Sequence, residues 1–83
     1  MIKLYTVPNC SYCTKAKTIL NELGIIYQEI NLKQKENFEA RNYYRSLGVK
    51  TAPIIAHINE DGKEDWIILE FNEDVLREKL KCL

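Results

Sequence analysis

The sequence predicts an α/β domain with a four-stranded mixed sheet and three helices, in the order βαβαββα. Three observations support this prediction. The first third of the chain has a strand–helix–strand pattern, an Asp61-Gly62 pair separates two apolar runs, and an amphipathic segment ends the chain. A strand–helix–strand unit favours a parallel pair of strands, whereas Asp-Gly between apolar runs is typical of an antiparallel hairpin. One sheet that contains both pairings is mixed.

The first strand is expected over Lys3–Val7, where apolar and polar residues alternate. Pro8 then indicates a turn, and the first helix begins at Cys10 or Ser11. The helix ends before Gly24, since glycine suits the left-handed position that closes a helix. Residues at helical spacing form its core-facing side, namely Ala16, Ile19, Leu20 and Leu23.

The second strand is expected over Ile25–Leu32. One of its faces carries Ile26, Gln28, Ile30 and Leu32, and the other carries Ile25, Tyr27, Glu29 and Asn31. The first of these faces is not uniformly apolar, so we expect this strand toward the edge of the sheet.

The second half of the chain supplies the other four elements. A charged segment with interspersed aromatic residues predicts a helix over Lys33–Leu47, ending at Gly48, and strands are expected over Ile54–Ile58 and Trp66–Leu69. Asn72 is a suitable N-cap for a last helix through Lys81. Its inward residues are predicted to be Val75, Leu76 and Leu80.

Bulk composition excludes several classes of protein. Eighty-three residues form one small domain, 1–83, with one modest core, and 46% hydrophobic residues argue against disorder. Twelve basic and twelve acidic residues cancel, which argues against a nucleic-acid partner. No apolar run is long enough to span a membrane, and no signal peptide is recognisable. Three cysteines do not form a secreted disulfide framework, so we expect a cytoplasmic protein. We also expect a monomer.

Cys10 and Cys13 form a C-x-x-C motif between the first strand and the first helix. A helix N-terminus leaves backbone N–H groups unpaired and carries partial positive charge. A thiolate placed there is stabilised and becomes nucleophilic near neutral pH, with Lys15 and Lys17 close by in sequence. The second cysteine, one turn on, can attack a mixed disulfide on the first. The motif therefore predicts a redox-active dithiol.

Four segments together resemble the glutaredoxin family and its NrdH-redoxin relatives, which have the thioredoxin fold. Tyr5–Cys10 (YTVPNC) is similar to the approach to the active site in NrdH-type proteins, and Cys10–Lys17 (CSYCTKAK) resembles the glutaredoxin C-P-Y-C-x-x-A-K stretch. Leu23–Tyr27 (LGIIY) resembles the family's passage into its second strand, and Thr51–Pro53 (TAP) resembles its T-V-P, whose proline is cis. The order of elements agrees over essentially the whole chain.

The resemblance implies a small dithiol-disulfide oxidoreductase that reduces protein or glutathione-mixed disulfides. Cys10 is then the exposed nucleophile and Cys13 the buried resolving thiol. No cofactor is bound, glutathione is a possible co-substrate, and ribonucleotide reductase is a candidate substrate. Electrons come from glutathione or from a thioredoxin reductase. The residues implied to contact the substrate or glutathione are Tyr12, Thr51, Ala52, Pro53, Phe71 and Asn72.

Three positions depart from the family pattern. Val7 stands where members commonly have a lysine that holds glutathione, and Glu70 replaces a glycine near the γ-glutamyl group. Both favour an NrdH-like protein served by a reductase, and the segment from Glu70 to Leu76 is closer to the NrdH ending. Ser11 replaces the usual proline. Since some C-S-Y-C glutaredoxins bind a [2Fe–2S] cluster, the alternative function is an iron–sulfur carrier or a non-catalytic binding module.

The remaining candidate residues have simpler interpretations. Zinc would need four ligands, and only Cys82 and His57 remain at no metal-type spacing, so no metal site is predicted. Cys82 is interpreted as a bystander and His57 as structural. Arg41 and Arg45, four residues apart, form either a solvated face or a basic patch for a carboxylate or partner.

Overall fold

The computed structural model describes all 83 residues and contains the mixed four-stranded sheet that the sequence predicts. Its strands are β1 (Ile2–Thr6), β2 (Tyr27–Asn31), β3 (Ile54–Ile58) and β4 (Glu64–Ile68), in the spatial order β2-β1-β3-β4. β1 pairs in parallel with β2 and antiparallel with β3, and β3 pairs antiparallel with β4. The second strand therefore lies at the sheet edge, which confirms the expectation from its mixed faces.

Three α-helices complete the fold: α1 (Ser11–Glu22), α2 (Phe38–Ser46) and α3 (Glu73–Leu80). None of them is long and apolar enough to cross a membrane. The second helix is shorter than the predicted Lys33–Leu47, because the preceding segment forms a turn and a short 3₁₀ helix, Lys35–Asn37, and two asparagines hold it there. The Asn31 side chain accepts the Lys33 N–H at 2.9 Å, and Asn37 Nδ2 donates to the Asn31 carbonyl at 2.8 Å. Such local bonds compete with helix formation.

Apolar side chains are buried on both faces of the sheet, since successive residues of a strand point to opposite sides. Leu4 contributes to a cluster with residues of α1 and α3, and its neighbour Tyr5 contributes to a cluster with Tyr44 of α2. The first cluster consists of Ile2, Leu4, Ala16, Ile19, Leu20, Ile55, Ile68, Leu76 and Leu80. The second consists of Tyr5, Leu32, Tyr44, Ile54 and Ala56. The two central strands are thus covered by helices on both sides.

The prediction that Leu23 and Val75 are core residues is wrong. Leu23 is 47% exposed and Val75 is 43% exposed. Leu23 is the C-cap of α1, where the backbone leaves the helical conformation and the helical spacing no longer applies. In α3 the buried stripe is Leu76 and Leu80, and Val75 points about 100° away from Leu76 because a helix has 3.6 residues per turn.

A polar network joins β1, β2 and α1 at the sheet edge. Lys17 Nζ lies 2.9 Å from Glu29 Oε2, and the Thr6 hydroxyl donates to the same oxygen at 2.9 Å. The hydrogen bond from Lys17 is the main cause that lowers the pKa of the Glu29 carboxyl, and the hydrogen bond from Thr6 adds to it, while burial opposes both. Glu29 is therefore an anion that ties the edge strand to the first helix.

Replacing Leu20 by alanine should destabilise the fold far more than replacing Leu23. Leu20 is fully buried, so Leu20→Ala is expected to lower the free energy of unfolding by about 2–5 kcal/mol through lost burial and a cavity. Leu23→Ala, on the same helix, should cost about 1 kcal/mol or less. Urea denaturation followed by circular dichroism measures both. Equal losses would contradict the described packing of α1.

The Glu29 network should make stability depend on pH in the acid range. Because the folded pKa of Glu29 is lowered from 4.5, its stabilisation is fully present above that value and is lost as pH falls through the folded pKa. The difference in unfolding free energy between the native chain and Glu29→Gln should therefore be constant near neutral pH and shrink below about pH 4.5. Glu36→Gln, at an exposed carboxyl, is the control. A difference that grows on acidification would exclude this network.

Candidate active site

Cys10 is the N-cap of α1, which begins at Ser11, one of the two starts that the sequence predicts. Its backbone is extended (φ −113°, ψ 107°), and the Cys13 N–H points at Cys10 Sγ from 3.1 Å. The sulfur thus occupies the place where a capping oxygen normally satisfies the first free N–H groups of a helix. When Cys10 is reduced, this N–H and the positive end of the helix stabilise its thiolate.

The two cysteines of the motif form a disulfide and differ in exposure. Cys10 is half-buried, whereas Cys13 is 3% exposed because its side chain lies on the inner face of α1. A substrate sulfur can therefore approach Cys10 and not Cys13. This asymmetry matches an outer attacking thiol and an inner resolving thiol.

The segment before β3 lies against the outer sulfur. The Ala52–Pro53 peptide bond is cis, as the resemblance implies, and Cys10 Sγ lies 3.7 Å from the Ala52 carbonyl oxygen. Strand register explains this proximity: Tyr5 pairs with Ile54, so the residues that follow Tyr5 and those that precede Ile54 meet at one end of the sheet. Neither the N–H nor the C=O of Ala52 is bonded to another backbone group. Both are free to pair with an extended substrate.

A cavity of about 660 Å³ opens beside Ala52, whose carbonyl oxygen lies near Cys10 Sγ. We call it the acidic cavity. It is lined by Tyr12, Lys15, Thr51, Ala52, Glu70, Phe71, Asn72, Glu73 and Asp74. Five of the six binding residues proposed from the resemblance are in this lining. The sixth, Pro53, is buried behind Ala52. The predicted residues are thus brought together around one opening.

Two aromatic rings form the exposed wall of the acidic cavity. The Tyr12 and Phe71 rings are stacked with centroids 5.4 Å apart and planes 22° apart. Lys15 Nζ lies 5.5 Å from the Tyr12 ring centroid on this wall. Tyr12 belongs to α1 and Phe71 directly precedes the N-cap of α3, so this stack links the start of α1 to the start of α3. It offers an apolar surface for a substrate side chain.

Asn72 has a structural task in addition to lining the cavity. Its Oδ1 accepts the Val75 N–H at 3.1 Å, so Asn72 is the N-cap of α3 as predicted. The helix start carries Glu73 and Asp74, whose negative charge is favourable at the positive end of a helix. Arg77 pairs with Glu73 of this turn at 3.0 Å and with Glu22 of α1 at 3.3 Å, which fixes α3 against α1.

A second cavity, of about 220 Å³, lies on the other side of Ala52. We call it the basic cavity. It is lined by Val7, Leu32, Lys33, Arg41, Tyr44, Arg45, Val49, Lys50, Thr51, Ala52 and Ile54. The sequence indicated Arg41 and Arg45 as a possible patch from their helical spacing. It gave no signal for Lys33 and Lys50, which lie far apart along the chain and meet only in the folded structure.

Other candidate residues lie away from the sulfurs. His57 Nδ1 is 3.0 Å from Asp65 Oδ2 on the β3–β4 hairpin, and its ring stacks on Trp66. Cys82 is an exposed free thiol after α3, and Lys17 is engaged by Glu29 rather than by a sulfur. No three His, Cys, Asp or Glu side chains are grouped so that they could hold a metal ion.

The fold and this site define a thioredoxin-like protein with a redox-active pair of cysteines. NrdH-redoxin from Escherichia coli superposes with a TM-score of 0.73 and 22% identity, covering 93% of this chain and 91% of that one. A thioredoxin-like protein superposes with a TM-score of 0.70 and 24% identity, covering 94% and 97%. At these identities the comparison establishes the fold.

Sequence comparison establishes the family. The Glutaredoxin family model matches residues 2–61. Glutaredoxin 1 of Rickettsia prowazekii is 33% identical over 83% of this chain and 76% of its own length, and an uncharacterised glutaredoxin-like protein of Clostridium pasteurianum is 37% identical over 88% of both. For Glutaredoxin 1 of Rickettsia felis, 38% identical, the match spans about half of that relative's length (54%). The chain belongs to the glutaredoxin family, a family of thiol-disulfide oxidoreductases.

Removing the Asn72 cap should destabilise α3 and with it one wall of the acidic cavity. Asn72→Ala is expected to lower the free energy of unfolding by about 0.5–2 kcal/mol, since the Val75 N–H loses its acceptor. Asn72→Asp, which keeps an accepting oxygen, should be close to the native chain. Thermal denaturation of the three proteins distinguishes them. If the alanine and aspartate variants melted alike, the capping role would be refuted.

Proposed function

We propose that this protein is a dithiol-disulfide oxidoreductase that reduces protein disulfides and glutathione-mixed disulfides through Cys10 and Cys13. The observation that carries the proposal is the position of Cys10 Sγ, at the N-terminus of α1 and 3.7 Å from the unpaired Ala52 carbonyl. A disulfide in an extended segment can react here, because a stabilised sulfur lies beside backbone groups that are free to pair with that segment. The backbone of Ala52 orients the substrate segment, and the Cys10 thiolate attacks the substrate disulfide.

The first step is attack by the Cys10 thiolate on a substrate disulfide. A bond forms between Cys10 Sγ and one substrate sulfur, the substrate S–S bond breaks, and the departing sulfur leaves as a thiolate that takes a proton from water. The Cys13 N–H and the N-terminus of α1 stabilise the attacking thiolate before this step. Burial of Cys13 keeps the inner thiol from reacting with the substrate directly.

The second step releases the product. The Cys13 sulfur, having lost its proton, attacks Cys10 Sγ and displaces the remaining substrate thiolate, which leaves the Cys10–Cys13 disulfide. Two electrons and two protons have then passed from the dithiol to the substrate. The disulfide between Cys10 and Cys13 supports this proposal, since the proposed half-reaction leaves the pair in that oxidised form.

The dithiol must be regenerated by a donor of two electrons. We propose a thioredoxin reductase in preference to two molecules of glutathione. Val7 supplies no charge at the position where family members commonly have a lysine that holds glutathione, and Glu70 adds a carboxylate to the acidic cavity at a position where many glutaredoxins have glycine. Ser11, found in some glutathione-dependent members, favours the other donor. The resemblance of Tyr5–Cys10 to NrdH-type proteins supports ribonucleotide reductase as a substrate. We propose that the reaction takes place in the cytoplasm.

Substitution of each cysteine by serine should give two different defects. Cys10→Ser is expected to lower disulfide reduction by about 100-fold or more, because the attacking sulfur is lost. Cys13→Ser should keep the attack and accumulate a mixed disulfide, visible by mass spectrometry as an adduct on Cys10. NADPH oxidation measures turnover, with glutathione plus glutathione reductase in one assay and thioredoxin reductase in the other.

Cys82→Ser is the matched control, since Cys82 is an exposed thiol remote from the motif, and it should retain native turnover. Substantial activity in Cys10→Ser, or the absence of any adduct in Cys13→Ser, would refute the assigned roles. Turnover in the glutathione assay and none in the thioredoxin reductase assay would refute the proposed electron donor while leaving the dithiol mechanism intact. A protein that absorbed as an iron–sulfur cluster after anaerobic purification and reduced no disulfide would instead favour the cluster carrier.

A further inference from the structure

The basic cavity contains four cationic side chains and no carboxylate. Its cations are Lys33, Arg41, Arg45 and Lys50. None of them forms an ion pair. The phenol of Tyr44 in the same wall supplies no counter-charge, because burial raises its pKa and keeps it neutral. The basic cavity is therefore an uncompensated positive site.

One atom of the basic cavity lacks a hydrogen-bond partner. Arg41 Nε is buried and donates to nothing in the protein. A buried donor without an acceptor costs free energy, and the cost is largest for a charged group. A carboxylate in the basic cavity would accept this N–H and neutralise charge at the same time. The cavity thus favours an anionic group of a ligand.

The acidic cavity has the opposite character. Glu70, Glu73 and Asp74 line it with Lys15 as the only cation. Glu73 is paired with Arg77, whereas Glu70 and Asp74 pair with no cation. The two cavities meet at Thr51 and Ala52, which line both of them. The sign of the charge therefore changes across the backbone segment that touches Cys10 Sγ.

This polarity acts at short range. The net charge of the whole chain is zero, so no long-range field steers a charged partner toward it. Charges in the two cavities can still act on a substrate that is already bound, and they act on its parts separately. A segment paired with the backbone of Ala52 has a fixed direction, and it sends its residues on either side of the cysteine toward different cavities.

We propose that the two cavities select disulfide substrates by the order of charges around the reacting cysteine, with an acidic residue seated in the basic cavity and a basic residue in the acidic cavity. This inference rests on the proposed disulfide reductase function and names its preferred substrates. These substrates are protein disulfides in which the reacting cysteine has an acidic residue on one side and a basic residue on the other. One of the two possible orders of these residues along the substrate chain is preferred over the reverse order.

Three synthetic peptides of equal length test the proposal. Each carries one cysteine as a disulfide with the same small thiol, and the flanking residues are Asp before and Lys after, Lys before and Asp after, or Asn and Gln. All three have the same net charge, so a difference reports the order of charges. The value of kcat/KM for one charged peptide should exceed that of the reverse peptide by about tenfold or more, with the neutral peptide between them.

Variants of the basic cavity give an independent test. Arg41→Gln and, separately, the exposed Lys50→Gln should each lower the ratio of kcat/KM between the two charged peptides. The control Lys79→Gln, an exposed cation of α3 outside both cavities, should leave that ratio unchanged. Lys50 provides the test if Arg41→Gln impairs folding. Added salt should also lower the ratio, because these side chains are partly open to solvent.

The outcomes separate this inference from the proposed function. Equal rates for all three peptides would overturn the charge selection and leave disulfide reduction standing. A ratio unaffected by both cavity variants would also overturn it, since the selection would then arise elsewhere. Failure to reduce any of the peptides, including the neutral one, would overturn the proposed function and the selection with it.

Discussion

The active site depends on the contact between the Cys13 N–H and Cys10 Sγ at the start of α1. This contact requires Cys10 to be extended while the next residue is already helical, so β1 must end and α1 must begin within a few residues. It also requires α1 to be held firmly, because a frayed first turn would move the N–H away. The packing of Ala16, Ile19 and Leu20 against the sheet supplies that support.

Sheet topology explains why a second loop meets this helix start. β1 lies between β2 and β3, and its antiparallel pairing with β3 brings the residues after Tyr5 close to those before Ile54. Ala52 is therefore next to Cys10 although 42 positions separate them. Its N–H and C=O make no hydrogen bond with another backbone group, because Ala52 lies just outside the ladder that β3 forms.

Charge on the two sides of Ala52 comes from two helices and the residues next to them. Carboxylates come from the start of α3 and from Glu70 just before it, and most of the cations come from α2 and the residues on either side of it. The helices lie on opposite faces of the sheet, which keeps the two sets of charges apart and on different sides of Ala52. A chain with zero net charge can in this way have a strongly polar active-site surface.

Local patterns in the sequence determined the order of elements, the start of α1 at Cys10 or Ser11, the Asn72 cap and the reactive pair of cysteines, because each depends on residues close together along the chain. The resemblance carried the prediction of the Ala52–Pro53 cis bond. Spacing failed at Leu23 and Val75, since helix ends and the orientation of a helix on the sheet are set by packing. Only the tertiary structure decided that Lys33, Arg41, Arg45 and Lys50 share one cavity and that carboxylates line the other. These contacts join distant segments, and no local rule of propensity or periodicity constrains them.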